Sequence, residues 1–86
     1  MYNVVLLPEA EKFYKELFYS DRSHFTRIAE ALKSLEKTPS LGKPLRHNLK
    51  GKFSLRVGFY CIIYAVSRKE ITVYVFNIGH RRDVYQ

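Results

Sequence analysis

Lys52-Phe53-Ser54-Leu55-Arg56-Val57-Gly58-Phe59-Tyr60-Cys61-Ile62-Ile63-Tyr64-Ala65-Val66 is the stretch on which the fold turns. Phe53, Leu55 and Val57 alternate with Lys52, Ser54 and Arg56, the period of a strand with one buried and one exposed face. Gly58 then interrupts the run and predicts a bulge or turn. Residues 59–66 and 71–78 are richer, nearly continuous apolar strands, and the polar residues 67–70 between them predict a hairpin. Gly79 is expected to end the last strand and residues 80–86 to form a polar tail.

Upstream the period changes. Residues 2–7 form a short Val/Leu-rich strand, and Pro8 stops it at a position where a helix tolerates proline, because the first turn needs no N–H. Ala10, Phe13, Tyr14, Leu17 and Phe18 recur at helical spacing, with Glu9 and Glu11 near the positive end of the helix. Ser20-Asp21 offers an N-cap for a second helix. Its apolar stripe is Phe25, Ile28, Ala29, Leu32 and Leu35, with Arg27, Glu30, Lys33 and Lys37 outward, and Pro39 ends it. Two helices cannot bury both stripes against each other alone, so they need a sheet beneath them. Residues 40–48 read as a loop from their Gly, Pro and Asn. The expectation is one α+β domain over residues 1–86, β-α-α-β-β-β, with an antiparallel-rich sheet and the helical hairpin on one face.

Charge divides the chain. Residues 1–41 hold six Lys/Arg and six acids, whereas residues 42–86 hold nine Lys/Arg against Glu70 and Asp83, so the whole net charge of +7 lies in the second half. Cations gathered this way reinforce one another over a Debye length, which predicts a polyanion-binding surface. Lys50, Lys52, Ser54 and Arg56 fall at alternate positions and share one strand face if the strand begins early enough; such a row suits a phosphodiester backbone. Lys43 and Arg46, in the preceding loop, join the candidate RNA-binding residues, as does Arg82.

The segment Gly79-His80-Arg81-Arg82-Asp83-Val84-Tyr85 concentrates groups that phosphodiester chemistry uses. A guanidinium can stabilise the charge of a phosphorane, an imidazole can move a proton near neutral pH, and a phenol can stack a base. Cys61, the one cysteine, is read as a small buried hydrophobe, because no base is placed to activate it. His24 and His47 are read as surface groups. No metal site is expected from two scattered histidines without an acidic partner motif, and no cofactor. A lone cysteine cannot close an internal disulfide, no apolar run approaches membrane-spanning length, and Met-Tyr-Asn-Val lacks the basic flank of a signal peptide. These point to a cytoplasmic protein with no membrane partner.

Gly-Lys-Pro-Leu-Arg-His-Asn-Leu-Lys-Gly-Lys-Phe-Ser-Leu-Arg-Val-Gly-Phe-Tyr-Cys-Ile-Ile-Tyr, then Ile-Gly-His-Arg-Arg-Asp-Val-Tyr, resembles the RelE/ParE toxin superfamily. Leu-Leu-Pro-Glu-Ala-Glu-Lys ahead of a helical hairpin is similar as well. The resemblance implies the toxin of a type II toxin–antitoxin system. RelE-type members enter the ribosomal A site and cleave mRNA without metal, the message's own 2′-hydroxyl being the nucleophile. Implied partners are a RelB-like antitoxin that covers the site, mRNA on the ribosome, and rRNA. The family's strand lysines correspond to Ser54 and Arg56, with Lys52 as a possible substitute. Its arginine after the last strand corresponds to Arg81 and its C-terminal tyrosine to Tyr85. Arg81, Tyr85, His80 and Arg56 are thus the candidate catalytic residues. One position departs: where RelE has an arginine after the tyrosine of the penultimate strand, this chain has Cys61. Two alternatives stay open, a ParE-like protein that poisons DNA gyrase by binding it, and a non-catalytic RNA- or antitoxin-binding homologue.

Overall fold

In the computed structural model, which describes residues 1–81, β1 (Asn3–Leu6) is followed by α1 (Pro8–Ser20) and α2 (Arg22–Lys37). The chain continues through β2 (Lys43–Pro44), a short 3-10 turn (His47–Leu49), β3 (Phe53–Val57), β4 (Tyr60–Ser67) and β5 (Thr72–His80). The strands form one sheet in the order β1-β5-β4-β3-β2. All pairs are antiparallel except β1 on β5. This is the expected α+β fold, with both helices on one face.

The core lies between helices and sheet. Ala10 and Leu17 of α1 and Ile28, Leu32 and Leu35 of α2 bury against Val57, Tyr60, Ile62, Tyr64, Val73, Val75 and Ile78. Each large aliphatic chain so removed from water contributes about 1.5–3 kcal/mol. Tyr64 is fully buried, and its hydroxyl donates to the Pro39 carbonyl (2.8 Å) while accepting the Gly42 N–H (2.7 Å). The phenol thereby anchors the loop that leads from α2 to β2.

Three expectations need correction. The 40–48 loop contains β2, a two-residue strand that exists only through its pairing of Lys43 with Ser54 and Pro44 with Phe53. Gly79 does not end the last strand, because β5 runs through His80. β3 begins at Phe53, too late to include Lys50, which instead caps the 3-10 turn with its N–H on the His47 carbonyl (3.0 Å). Within the β4–β5 hairpin the register also shifts between Ile63 and Tyr64: Tyr64 pairs with Val75 but Ile63 with Asn77, leaving Phe76 as an extra residue in β5.

Candidate nucleic-acid interface

The face of the sheet away from the helices carries Lys52, just before β3, and Ser54 and Arg56 within it. Val57, Leu55 and Phe53 turn to the core, so the pleat sends their neighbours outward. Register extends this row across the sheet: Arg56 stands opposite Cys61, and Cys61 opposite Gly79. Lys43 is opposite Ser54 on the other side. Arg56 and Lys43 are exposed, while Ser54 is buried at 8% relative exposure. Lys52 lies with its Nζ 4.4 Å above the Phe76 ring, a cation–π contact. None of the residues in β1–β5 is acidic, although Glu70, from the β4–β5 turn, reaches that face and accepts from the Tyr74 hydroxyl. Lys50 and Arg46 are exposed in the segment around the 3-10 turn, beside the row rather than in it.

At the end of β5 the extra residue Phe76 inverts the pleat. Val73 and Val75 face the core before it, and Ile78 after it. His80 therefore falls on the helix face, opposite Tyr60 in register, with its ring 4.8 Å from the Tyr60 ring. Gly79 faces the open side with Arg56. Arg81, the next residue, lies just past the strand; it donates its N–H to the Phe59 carbonyl (3.1 Å) and is exposed. The sheet end thus puts Gly79 on the face that carries Arg56, separates His80 from that face, and leaves Arg81 exposed beside the β3–β4 turn. Arg82 and Tyr85 lie outside the described residues.

His24, read from sequence as a surface group, is a correction. Only 15% of its side chain is exposed. Asp21 caps α2 by accepting the His24 backbone N–H at Oδ1 (3.1 Å), and its Oδ2 lies 2.8 Å from His24 Nδ1. The Tyr60 hydroxyl donates to the same Oδ2 at 3.4 Å. The His24 ring contacts both Tyr60 (5.1 Å) and Phe59 (5.2 Å). The β3–β4 turn closes on it: Gly58 has φ +59, as the first residue of a type II′ hairpin requires. A Cβ at Gly58 would lie 2.7 Å from His24 Nε2 and 3.0 Å from Arg27 Nη1. The sequence signal for this cluster is only the Asp21-x-x-His24 spacing at a helix start, which cannot reveal that the imidazole meets a hairpin 34 residues downstream.

The His24 backbone N–H, and after it the His24 side chain and the Tyr60 hydroxyl, hold the Asp21 carboxyl below its ordinary value against partial desolvation. Burial, then the Asp21 charge, pushes the Tyr60 phenol up. A depressed carboxyl stabilises the fold above its unfolded-state pKa and loses that contribution as pH falls through the folded value. Asp21→Asn keeps a capping oxygen but cannot titrate. Its urea midpoint should therefore decline less steeply than wild type across the acid limb; parallel acid limbs would show that Asp21 is not linked to folding.

Cys61 is buried and carries a free thiol. Among the described residues no group of three His, Cys, Asp or Glu side chains is placed to hold a metal ion, and no helix is long and apolar enough to cross a membrane.

Comparison with known proteins gives consistent matches. A family model described as the ParE toxin of the type II toxin–antitoxin system parDE matches residues 4–85. Toxin RelG of Mycobacterium tuberculosis is 41% identical over 46 residues, 54% of this chain and 53% of that protein, so the match spans about half of that relative's length. The toxin–antitoxin complex RelBE2 from Mycobacterium tuberculosis contains a chain that superposes with a TM-score of 0.81 at 29% identity, covering 93% of this chain and 98% of that one. The YoeB–YefM complex from Staphylococcus aureus gives 0.79 at 22% identity, with 94% and 98% covered, a likeness of fold.

Proposed function

The chain belongs to the ParE toxin family of type II toxin–antitoxin systems, and from that premise we propose that it halts translation by cleaving mRNA in the ribosomal A site. The observation that carries this reading is a sheet face bearing Lys43, Lys52 and Arg56 whose strands hold no acid, with Arg81 exposed where β5 ends. Two guanidiniums there suit the one moment in phosphodiester cleavage when negative charge accumulates.

In the proposed reaction the 2′-hydroxyl oxygen of the message attacks the adjacent phosphorus and gives up its proton. The bond from phosphorus to the 5′-oxygen breaks, and that oxygen takes a proton on leaving. The products are a 2′,3′-cyclic phosphate and a 5′-hydroxyl. Arg81 stabilises the pentavalent phosphorane, and Arg56, on β3 two strands away, shares that charge. Lys52, with Lys43, Lys50, Arg46 and Arg82, holds the flanking backbone. Proton transfer is left to His80, exposed at the end of β5, or to Tyr85. No metal takes part in this scheme. The partner that silences it is proposed to be a RelB-like antitoxin covering the same face, in the cytoplasm.

Mapping mRNA 5′ ends in a translating extract tests the reading: new ends at A-site codons support it, and intact message removes it. Cys61 favours a second reading. It occupies the place of a RelE arginine, directly opposite Arg56, and its burial leaves the transition state one guanidinium fewer. A ParE-like gyrase poison needs no such group, so inhibited supercoiling by purified gyrase with uncut mRNA would move that reading to the front.

The backbone-holding role has its own signature. Lys52→Ala should weaken binding of single-stranded RNA for every sequence alike. It should also flatten the slope of log K against log salt by about 0.7, the increment for one lost phosphate contact. An unchanged slope would show that Lys52 remains on Phe76 and touches no phosphate.

A further inference from the structure

Phe59 is 68% exposed, although it is a large aromatic at the tip of a two-residue hairpin, where small or polar residues are the rule. One side of its ring is supported by His24 at 5.2 Å, with the planes tilted by 39°. His24 is itself fixed by Asp21. The tip is braced as well as exposed, since Gly58 packs so tightly on His24 and Arg27 that even a methyl group would collide there. Two arginine residues belong to the same tip. Arg27 of α2 brings Nη1 to the Gly58 side of the turn, and Arg81 bonds its N–H to the carbonyl of Phe59 itself. The nearby carboxylate, Asp21, is engaged by His24 and Tyr60.

We propose that the Gly58–Phe59 tip is a nucleobase platform: one unstacked base of the RNA lies on the free side of the Phe59 ring, and Arg27 binds the phosphate on its far side. The inference rests on the RNA-directed reading of Arg81 and adds what that reading lacks, a group that selects where along the strand the scissile phosphate sits. The Phe59 carbonyl accepts the Arg81 N–H, so the platform and Arg81 belong to the same end of the sheet. An aromatic ring accepts any base, because each has a π face, and stacking is stronger for purines; the platform therefore biases the cut site without reading hydrogen bonds. It also gives Arg27, from the charge-neutral half of the sequence, a place in the polyanion surface. A peptide partner is the weaker occupant: the residues placed at the tip with the ring are His24, Gly58, Arg27 and Arg81, whose charge favours a phosphate.

The chain contains no tryptophan, so Phe59→Trp installs a single fluorophore at the tip without disturbing a buried position. Single-stranded RNA should quench its emission saturably, whereas an oligomer of the same length with abasic ribose phosphates should not. Adding Arg27→Ala should weaken the quenching titration about tenfold and flatten its salt dependence. In the wild-type background Phe59→Ala should bind RNA about five- to hundred-fold more weakly with an unchanged melting curve. Equal responses to RNA and the abasic oligomer, or none, overturn the platform. So does quenching by the cognate antitoxin alone, which would make the tip a protein contact. These readouts do not depend on cleavage: if wild type leaves mRNA uncut, the nuclease reading falls, and the quenching titration still decides the platform.

Discussion

Arg81→Ala is expected to cleave mRNA about 10²–10³-fold more slowly than wild type, the loss that follows removal of one donor aimed at transition-state charge. Growth arrest on induction should disappear. The residue is exposed and its structural contribution is a backbone N–H on the Phe59 carbonyl, which alanine retains. Stability should therefore stay within about 0.5 kcal/mol of wild type, and antitoxin binding should survive. Arg81→Lys keeps the charge but loses the planar fork, so its rate should fall between the two. Primer extension on mRNA from induced cells reads all three. A fully toxic Arg81→Ala protein would remove the residue from the chemistry and with it the proposed mechanism.

The second large effect is on folding. Tyr64→Ala deletes a fully buried ring that stacks on Phe53 (5.3 Å) and anchors the Pro39–Gly42 loop through its hydroxyl. Loss of an aromatic from such a site costs about 3–5 kcal/mol, against a total of about 5–15 for a domain. The variant should be largely unfolded or near its midpoint without denaturant. Tyr64→Phe separates ring from hydroxyl: it keeps the packing but leaves a part-buried N–H and carbonyl without this partner, at about 1–3 kcal/mol. Burial, only partly offset by the Gly42 N–H, raises the pKa of this phenol, so it remains a donor through neutral pH. Urea titrations in an Arg81→Ala background avoid toxicity during expression. A Tyr64→Phe midpoint equal to wild type would mean that Gly42 and Pro39 find other partners.

Much of this fold was legible because local rules and the global arrangement agree. Pro8 marks the change from strand to helix, Asp21 caps α2, and Phe53, Leu55 and Val57 alternate toward the core as their spacing predicts. What escaped reading depends on pairing. β2 has two residues and no periodicity; it becomes a strand only when Ser54 and Phe53 lie beside it. The bulge at Phe76 leaves no mark in composition, yet it decides which way everything after it points. Counting by twos from Val73 and Val75 puts Gly79 toward the helices and His80 on the open face; the extra residue reverses both. The grouping of His80 with Arg81 as one catalytic segment follows from adjacency in sequence, and a pleated strand sends adjacent side chains to opposite faces. Phe59 and Arg27 were missed for a related reason. They are 32 positions apart, and Arg27 reaches the turn at Gly58 only because the β3–β4 hairpin folds over the start of α2.

The parallel pairing of β1 with β5 governs when the molecule becomes whole. Asn3 finds its partner at Thr72 and Leu6 at Val75, so the first strand made must wait for the last. Until then β1 is an unpaired edge, α1 and α2 lack the Val73, Val75 and Ile78 side of their core, and Gly79–Arg81 have no sheet end to occupy. Closing so long a loop is slow compared with forming helices or the β3–β4 hairpin. Synthesis from the N-terminus therefore yields a chain that stays open until β5 has been added. A nascent copy that lacks β5 has neither its closed sheet nor the sheet end that Arg81 follows, and if that end carries the proposed chemistry, a chain short of it is harmless.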